Sequence, residues 1–105
     1  MTGDRSVPAV HLVPARDWEA WSTTNDAVII DVREPFEWAM GTLPDSVLIK
    51  LGSLPDKLDE FDRDRAILLV CRSGNRSGVA AEYLVRRGFG VVANLTGGLV
   101  DLGMA

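Results

Sequence analysis

Two stretches of the chain, Val28-Ile29-Ile30-Asp31-Val32 and Ala66-Ile67-Leu68-Leu69-Val70, are almost continuously apolar and rich in branched side chains. A strand with one wet face alternates apolar and polar residues. Runs without that alternation suit strands covered on both faces, as in parallel sheets with helices above and below. The intervening segments fit such a sheet. Val10 to Val13 predicts a short strand, and Pro14 opens a helix through Trp21 that sets Trp18 and Trp21 on one face. Asn25 and Asp26 mark the turn out of it. Glu34 to Met40 reads as a short helix beginning near Pro35 and ended by Gly41. Val47 to Ile49 follows the Pro44-Asp45 turn as a further strand, and Leu54, Leu58 and Phe61 have helical spacing. A helix from about Ser77 to Arg87 presents Ala80, Ala81, Leu84 and Val85 on one face, with Gly88 as its stop and Val91 to Leu95 as the last strand. The expectation is an α/β domain with a central parallel sheet of about four to five strands, helices on both faces and right-handed crossovers. Ligand sites in such sheets lie beyond the carboxyl ends of the strands. Cys71 stands at such an end.

A chain of 105 residues has room for one compact core, so residues 10–105 are expected to form the domain and residues 1–9 a lead-in. The net charge of −4, without a cluster of Lys and Arg, argues against nonspecific attraction to nucleic acid or to an anionic membrane surface. Arg72 and Arg76 nevertheless lie within one short stretch and would give an acidic protein one cationic pocket suited to small anions. The opening MTGDRSVPAV lacks the apolar centre of a signal peptide, and no run approaches the roughly 18 apolar residues of a membrane span, which points to the cytoplasm. A single cysteine can form neither an internal disulfide nor a four-cysteine metal site, and no metal or other cofactor is expected. Packing or reactivity is what remains for Cys71.

The segment Cys71-Arg72-Ser73-Gly74-Asn75-Arg76-Ser77 separates a buried strand from a helix. In a tight loop, successive backbone N–H groups can converge on one anionic atom, and the following helix adds unpaired N–H groups and the positive end of its dipole. Gly74 permits the close turn. A cysteine at the base of that cradle is biased toward the thiolate by the amide donors, the helix N-terminus and the nearby arginines. The thiolate is the nucleophilic form, so Cys71 is the candidate nucleophile and Arg72 to Ser77 the candidate substrate-binding residues.

The loop resembles the active-site loop of single-domain rhodanese, or thiosulfate sulfurtransferase, domains. Asp31-Val32-Arg33-Glu34 with Glu37 and Trp38 is similar to that family's D-V-R-E-x-x-E-aromatic stretch. Gly41-Thr42-Leu43-Pro44 resembles its G-H-I-P turn, and Leu95-Thr96-Gly97-Gly98 its closing L-x-G-G. The similarity runs from about residue 10 to 105, and segments in the right order are more specific than any one alone. Thr42 departs from the usual histidine, Asp45-Ser46 from Gly-Ala, and Leu102 from a tryptophan; these positions border the pocket rim and leave Cys71 in place. The resemblance implies a two-step sulfur transfer. Cys71 attacks the outer sulfur of a small anionic donor such as thiosulfate and becomes a persulfide, and a thiol or cyanide acceptor, or a sulfur-relay protein, then removes that sulfur. Arg72 and Arg76 would orient the donor, the amides from Arg72 to Ser77 would hold the persulfide, and the Ser73 and Ser77 hydroxyls could assist.

Phosphatases and arsenate reductases also place a cysteine and an arginine around an anion-binding loop. Four residues lie between Cys71 and Arg76, one fewer than in the Cys-x5-Arg loops of the related phosphatases, and the smaller cradle suits a sulfur atom better than a tetrahedral oxyanion. A rhodanese module used only for binding or regulation would most simply have lost its cysteine. Other chemistry-bearing residues read as structural. Asp31 and Arg33 form an ion pair or loop anchor, Trp18, Trp21 and Trp38 pack, His11 lies at the surface or a strand edge, and the charges from Asp59 to Arg65 are solvated.

Overall fold

The computed structural model describes residues 9–105. Five strands form one sheet in the order β1-β5-β4-β2-β3: β1 (His11–Pro14), β2 (Val28–Asp31), β3 (Val47–Leu48), β4 (Ile67–Val70) and β5 (Val92–Thr96). Every neighbouring pair is parallel, with Leu69 opposite Ile30 on one side and Asn94 on the other. Among the described residues there are four α-helices, α1 (Trp18–Asn25), α2 (Pro35–Trp38), α3 (Leu54–Lys57) and α4 (Asn75–Arg86). Apart from Ala9, the expected lead-in falls outside the described residues.

The unbroken apolar runs have the cause inferred for them. All four residues of β4 are buried, and alternate side chains enter different cores. Ile67 and Leu69 pack with Leu54, Leu58, Ala80, Ala81 and Leu84 beneath α3 and α4. Leu68 and Val70 pack with Val13, Ala93, Leu95 and Leu99, together with Trp18 and Trp21 of α1. Period-two geometry therefore puts Cys71, two residues beyond Leu69, on the α4 side. Asn94 lies between Ala93 and Leu95 of the other core, so it too faces α4.

The expected boundaries shift where local chemistry intervenes. Pro14 does not open a helix; it ends β1 opposite Thr96, a 3₁₀ turn follows over Ala15–Asp17, and α1 begins at Trp18. An extended proline costs no ladder bond at a sheet edge, and β1 is an edge strand. The helix expected over Glu34 to Met40 is shorter, Pro35–Trp38, and starts with a reciprocal capping box between Glu34 and Glu37. The Leu54 to Phe61 spacing spans α3 and a 3₁₀ turn, Leu58–Glu60, and Phe61 is already extended. The most consequential shift is at α4, which starts at Asn75 rather than Ser77 because Gly74 adopts φ +99° as its N-cap. The loop is correspondingly tighter, and Asn75, Arg76 and Ser77 form the first helical turn.

No helix among the described residues is long and apolar enough to cross a membrane.

Candidate active site

Cys71 follows the last residue of β4 and is only 1% exposed, yet its sulfur is surrounded by polar hydrogens. The Gly74 amide donates to Sγ at 3.1 Å and the Ser77 amide at 3.3 Å; the Ser77 hydroxyl lies 3.2 Å away. Gly74 and Ser77 converge because the chain turns at Gly74 and passes at once into α4, whose first N–H groups have no carbonyl partner within the helix. Burial pushes the Cys71 thiol up. The Ser77 hydroxyl and the Ser77, Gly74 and Ser73 amides more than offset this and leave it below the ordinary thiol value. The arrangement can stabilise negative charge on one sulfur atom.

The Leu95-Thr96-Gly97-Gly98 segment closes the other side of the loop. The Leu99 amide donates to the Cys71 carbonyl at 3.0 Å, and the Val100 amide to the Arg72 carbonyl at 2.9 Å. These bonds engage the loop's carbonyls while its Gly74 and Ser77 amides face the sulfur. Gly98 sits at φ +59°, and a Cβ there would overlap the Arg72 carbonyl and the Ser73 amide. Only glycine lets the two segments approach so closely.

The candidate loop residues occupy three different settings. Gly74 and Ser77 line the sulfur, as described. Arg72, Ser73 and Asn75 are exposed, and the Arg72 side chain pairs with no carboxylate among the described residues. Arg76 departs from the expected free cation, because its two terminal nitrogens donate to the two Glu37 oxygens at 2.7 and 2.9 Å. Glu37 is buried, and a buried carboxylate requires a counter-charge. The Arg76 bond holds the Glu37 carboxyl down at about 2 against burial, assisted by the Glu34 amide, and Glu37 in turn raises Arg76. Arg76 thus adds its charge near Cys71 while its two terminal nitrogens are engaged by Glu37, and Arg72 is the loop arginine without a carboxylate partner among the described residues.

Glu37 is itself held in place by a structural ion pair. The fully buried Arg33 pairs with Asp31 at 2.8 Å and donates to the Glu37 carbonyl at 3.3 Å and the Gly41 carbonyl at 2.7 Å, anchoring the C-terminal end of α2 and the turn that follows it. Asp31 and Arg33 therefore have the anchoring role read for them. Trp18 and Trp21 pack against the core as expected, and His11 is exposed on the β1 edge. A surface concavity of about 480 Å³ lined by Trp18, Ser22, Val28, Pro44 and Arg65 contains no residue of the Cys71 loop.

Sequence reasoning missed Asn94. Its Oδ1 accepts the Ser77 hydroxyl at 2.6 Å, and its Nδ2 donates to the Gly74 carbonyl at 3.2 Å. The available signal was an amide side chain within the otherwise apolar run Val91-Val92-Ala93-Asn94-Leu95, since a buried amide must find partners.

Comparison with known proteins agrees with this geometry. The family model described as Rhodanese-like domain matches residues 14–105. A "Sulfurtransferase" of Allochromatium vinosum is 39% identical over 77 residues, covering 73% of this chain and 72% of the relative. The "Thiosulfate sulfurtransferase GlpE" of Pseudomonas syringae is 42% identical over 72 residues, covering 69% of this chain and 68% of the relative. The crystal structure of a rhodanese-like domain protein from Staphylococcus aureus superposes with a TM-score of 0.77 at 30% identity, covering 87% of this chain and 89% of that one.

Proposed function

The chain belongs to the rhodanese-like domain family, and on that premise we propose that it is a sulfurtransferase carrying sulfane sulfur on Cys71. The observation that carries the reading is the convergence of the Gly74 and Ser77 amides and the Ser77 hydroxyl on a single buried sulfur. In the first half-reaction the Cys71 thiolate attacks the outer sulfur of thiosulfate, forming a new S–S bond. The original S–S bond breaks, and sulfite leaves with its electron pair. In the second, a thiophile such as cyanide or a thiolate bonds to the outer sulfur of the persulfide and returns the Cys71 thiolate. Both are displacements at sulfur that need a populated thiolate and donors for the charge on the sulfur being moved. The lowered Cys71 pKa supplies the first without a separate general base, and the amide ring supplies the second. Arg72 draws in the anionic donor, with Ser73 and Asn75 beside it at the mouth.

A phosphatase of related loop type is disfavoured by Arg76, whose guanidinium is taken up by Glu37 rather than offered to an oxyanion. The test is to incubate the protein with thiosulfate, weigh it for one added sulfur on Cys71, and follow thiocyanate formation on adding cyanide. Cys71→Ser abolishes both under this reading. Hydrolysis of p-nitrophenyl phosphate without sulfur uptake would reverse it in favour of the phosphatase. A reactive thiol with neither reaction would favour a binding module.

A further inference from the structure

The hydrogen bonds around Cys71 contain a conflict over one proton. Ser77 has a single hydroxyl hydrogen and two acceptors competing for it, Asn94 Oδ1 at 2.6 Å and Cys71 Sγ at 3.2 Å. The orientation of the Asn94 amide is fixed from its far side. Its Nδ2 donates to the Gly74 carbonyl, so its oxygen must face Ser77. While Cys71 is a thiol, all three groups are satisfied: S–H donates to Ser77 Oγ and Ser77 O–H donates to Asn94. Once the thiol proton leaves to water, the sulfur becomes an acceptor only, and the Ser77 hydroxyl can serve it only by rotating away from Asn94. That rotation leaves Asn94 Oδ1 buried without its short bond, a cost charged to the thiolate alone.

We propose that Asn94 is a positioning residue for the chemistry at Cys71: its carbonyl holds the Ser77 hydroxyl proton while the sulfur is a thiol and yields it when the sulfur ionises. The consequence deepens the sulfurtransferase reading and rests on it for its functional meaning. A thiolate stabilised by every available donor would be abundant but weakly nucleophilic, because nucleophilicity falls with basicity at a Brønsted slope of about 0.4–0.5. By competing for one donor, Asn94 keeps the sulfur more basic than the amide cradle and Ser77 would leave it. The charged groups around the sulfur do not supply this control. Arg76 on α4 acts on the sulfur through space but is tied to Glu37 of α2, with Glu34 behind it, and stays charged as Cys71 ionises, so it contests no proton; Asp31 of β2 is tied to Arg33; Arg72 is exposed; and β4 and β5 carry no charge.

The test is the pH profile of Cys71 in the full chain. Thiolate ultraviolet absorbance gives the midpoint, and the rate of reaction with methyl methanethiosulfonate gives the nucleophilicity at the plateau. Asn94→Leu, of similar size and without an acceptor, is expected to move the midpoint down, raising the thiolate fraction below it by about three- to tenfold. The plateau rate should fall by about two- to threefold. Ser77→Ala moves the midpoint the opposite way. A role for Asn94 in packing alone would loosen the cradle and raise the midpoint or leave it in place, and either result in Asn94→Leu overturns the proposal. Should that variant not fold, the unsubstituted protein still decides: the Asn94 carboxamide carbon resonance must titrate with the Cys71 midpoint, and a resonance constant through that transition refutes the switch. These readouts need no sulfur transfer. Failure of thiosulfate to load Cys71 therefore strikes the functional reading, whereas an unmoved midpoint in a protein that does load strikes only Asn94.

Discussion

Removing the Glu37 charge should destabilise the domain in a way that fades with acid. Glu37 is buried, and its carboxyl is held at about 2 against an ordinary 4.5, chiefly by its bonds to Arg76. Taken at face value, that difference corresponds to about 3 kcal/mol. Arg76 is about a third exposed, so solvent screening reduces the figure, and about 2 kcal/mol is the expected loss for Glu37→Gln near neutral pH. The sign follows from linkage. A carboxyl whose folded pKa is depressed contributes fully above the unfolded value and loses its contribution as pH falls toward the folded one. With 4.5 and about 2 as the limits, about two fifths of the effect should remain at about pH 3. Urea unfolding of both proteins between neutral pH and about pH 3 measures the gap directly, provided the slopes with urea agree. A gap that is absent at neutral pH, or that stays constant as the solution is acidified, would refute the reasoning. Arg76→Met should reproduce the same narrowing, because it deletes the other half of one interaction.

Other perturbations separate the pocket from its scaffold. Arg72→Gln should raise the thiosulfate concentration for half-maximal sulfur transfer by about three- to tenfold with little change in kcat. Added salt should shrink the difference, since an exposed charge attracts an anion through screened solvent; a fall in kcat alone would contradict the steering role. Gly98→Ala should cost about 2–4 kcal/mol in urea unfolding, because the new methyl overlaps the Arg72 carbonyl and forces alanine to φ +59°. A cost under about 1 kcal/mol would mean that the two loops separate easily. Leu69→Ala removes a fully buried side chain of β4 and should cost about 2–5 kcal/mol, without moving the Cys71 midpoint if the cradle is held by α4 rather than by the core beneath it.

The sheet was legible because its signal is collective. A continuous apolar run demands cover on two faces, and Ile67 to Val70 has that cover from α4 on one side and α1 on the other. Helix starts were less legible because they turn on single residues. Pro14 is equally suited to a first helical turn and to an edge strand, and its pairing opposite Thr96, more than eighty residues away in the chain, selects the strand. Gly74 carries an ambiguity of the same kind. Its need for a positive φ was foreseeable as a loop feature, whereas its service as the cap that starts α4 two residues early depends on the approach of the Leu95-Thr96-Gly97-Gly98 segment.

The same distinction explains which parts of the site could be read in advance. Amides converging on Cys71 are a local consequence of a short loop running into a helix, so the sequence around residue 71 suffices to anticipate them. The partners of the side chains are consequences of topology. Glu37 meets Arg76 across 39 residues, and Asn94 meets Ser77 across 17, because β4 lies between β2 and β5 and gathers the segments after β2 and along β5 around its own carboxyl end. The placement decides chemistry as well as shape. Glu37 engages the two terminal nitrogens of Arg76, and Asn94 accepts the hydroxyl of Ser77, the residue whose amide and hydroxyl also reach the sulfur. A central strand flanked on both sides thus leaves the Cys71 sulfur with the Ser77 hydroxyl and the fixed amides of Gly74 and Ser77 as its donors. Under the proposed sulfur transfer, fixed amides would stabilise charge on the sulfur without having to reorganise between the two half-reactions.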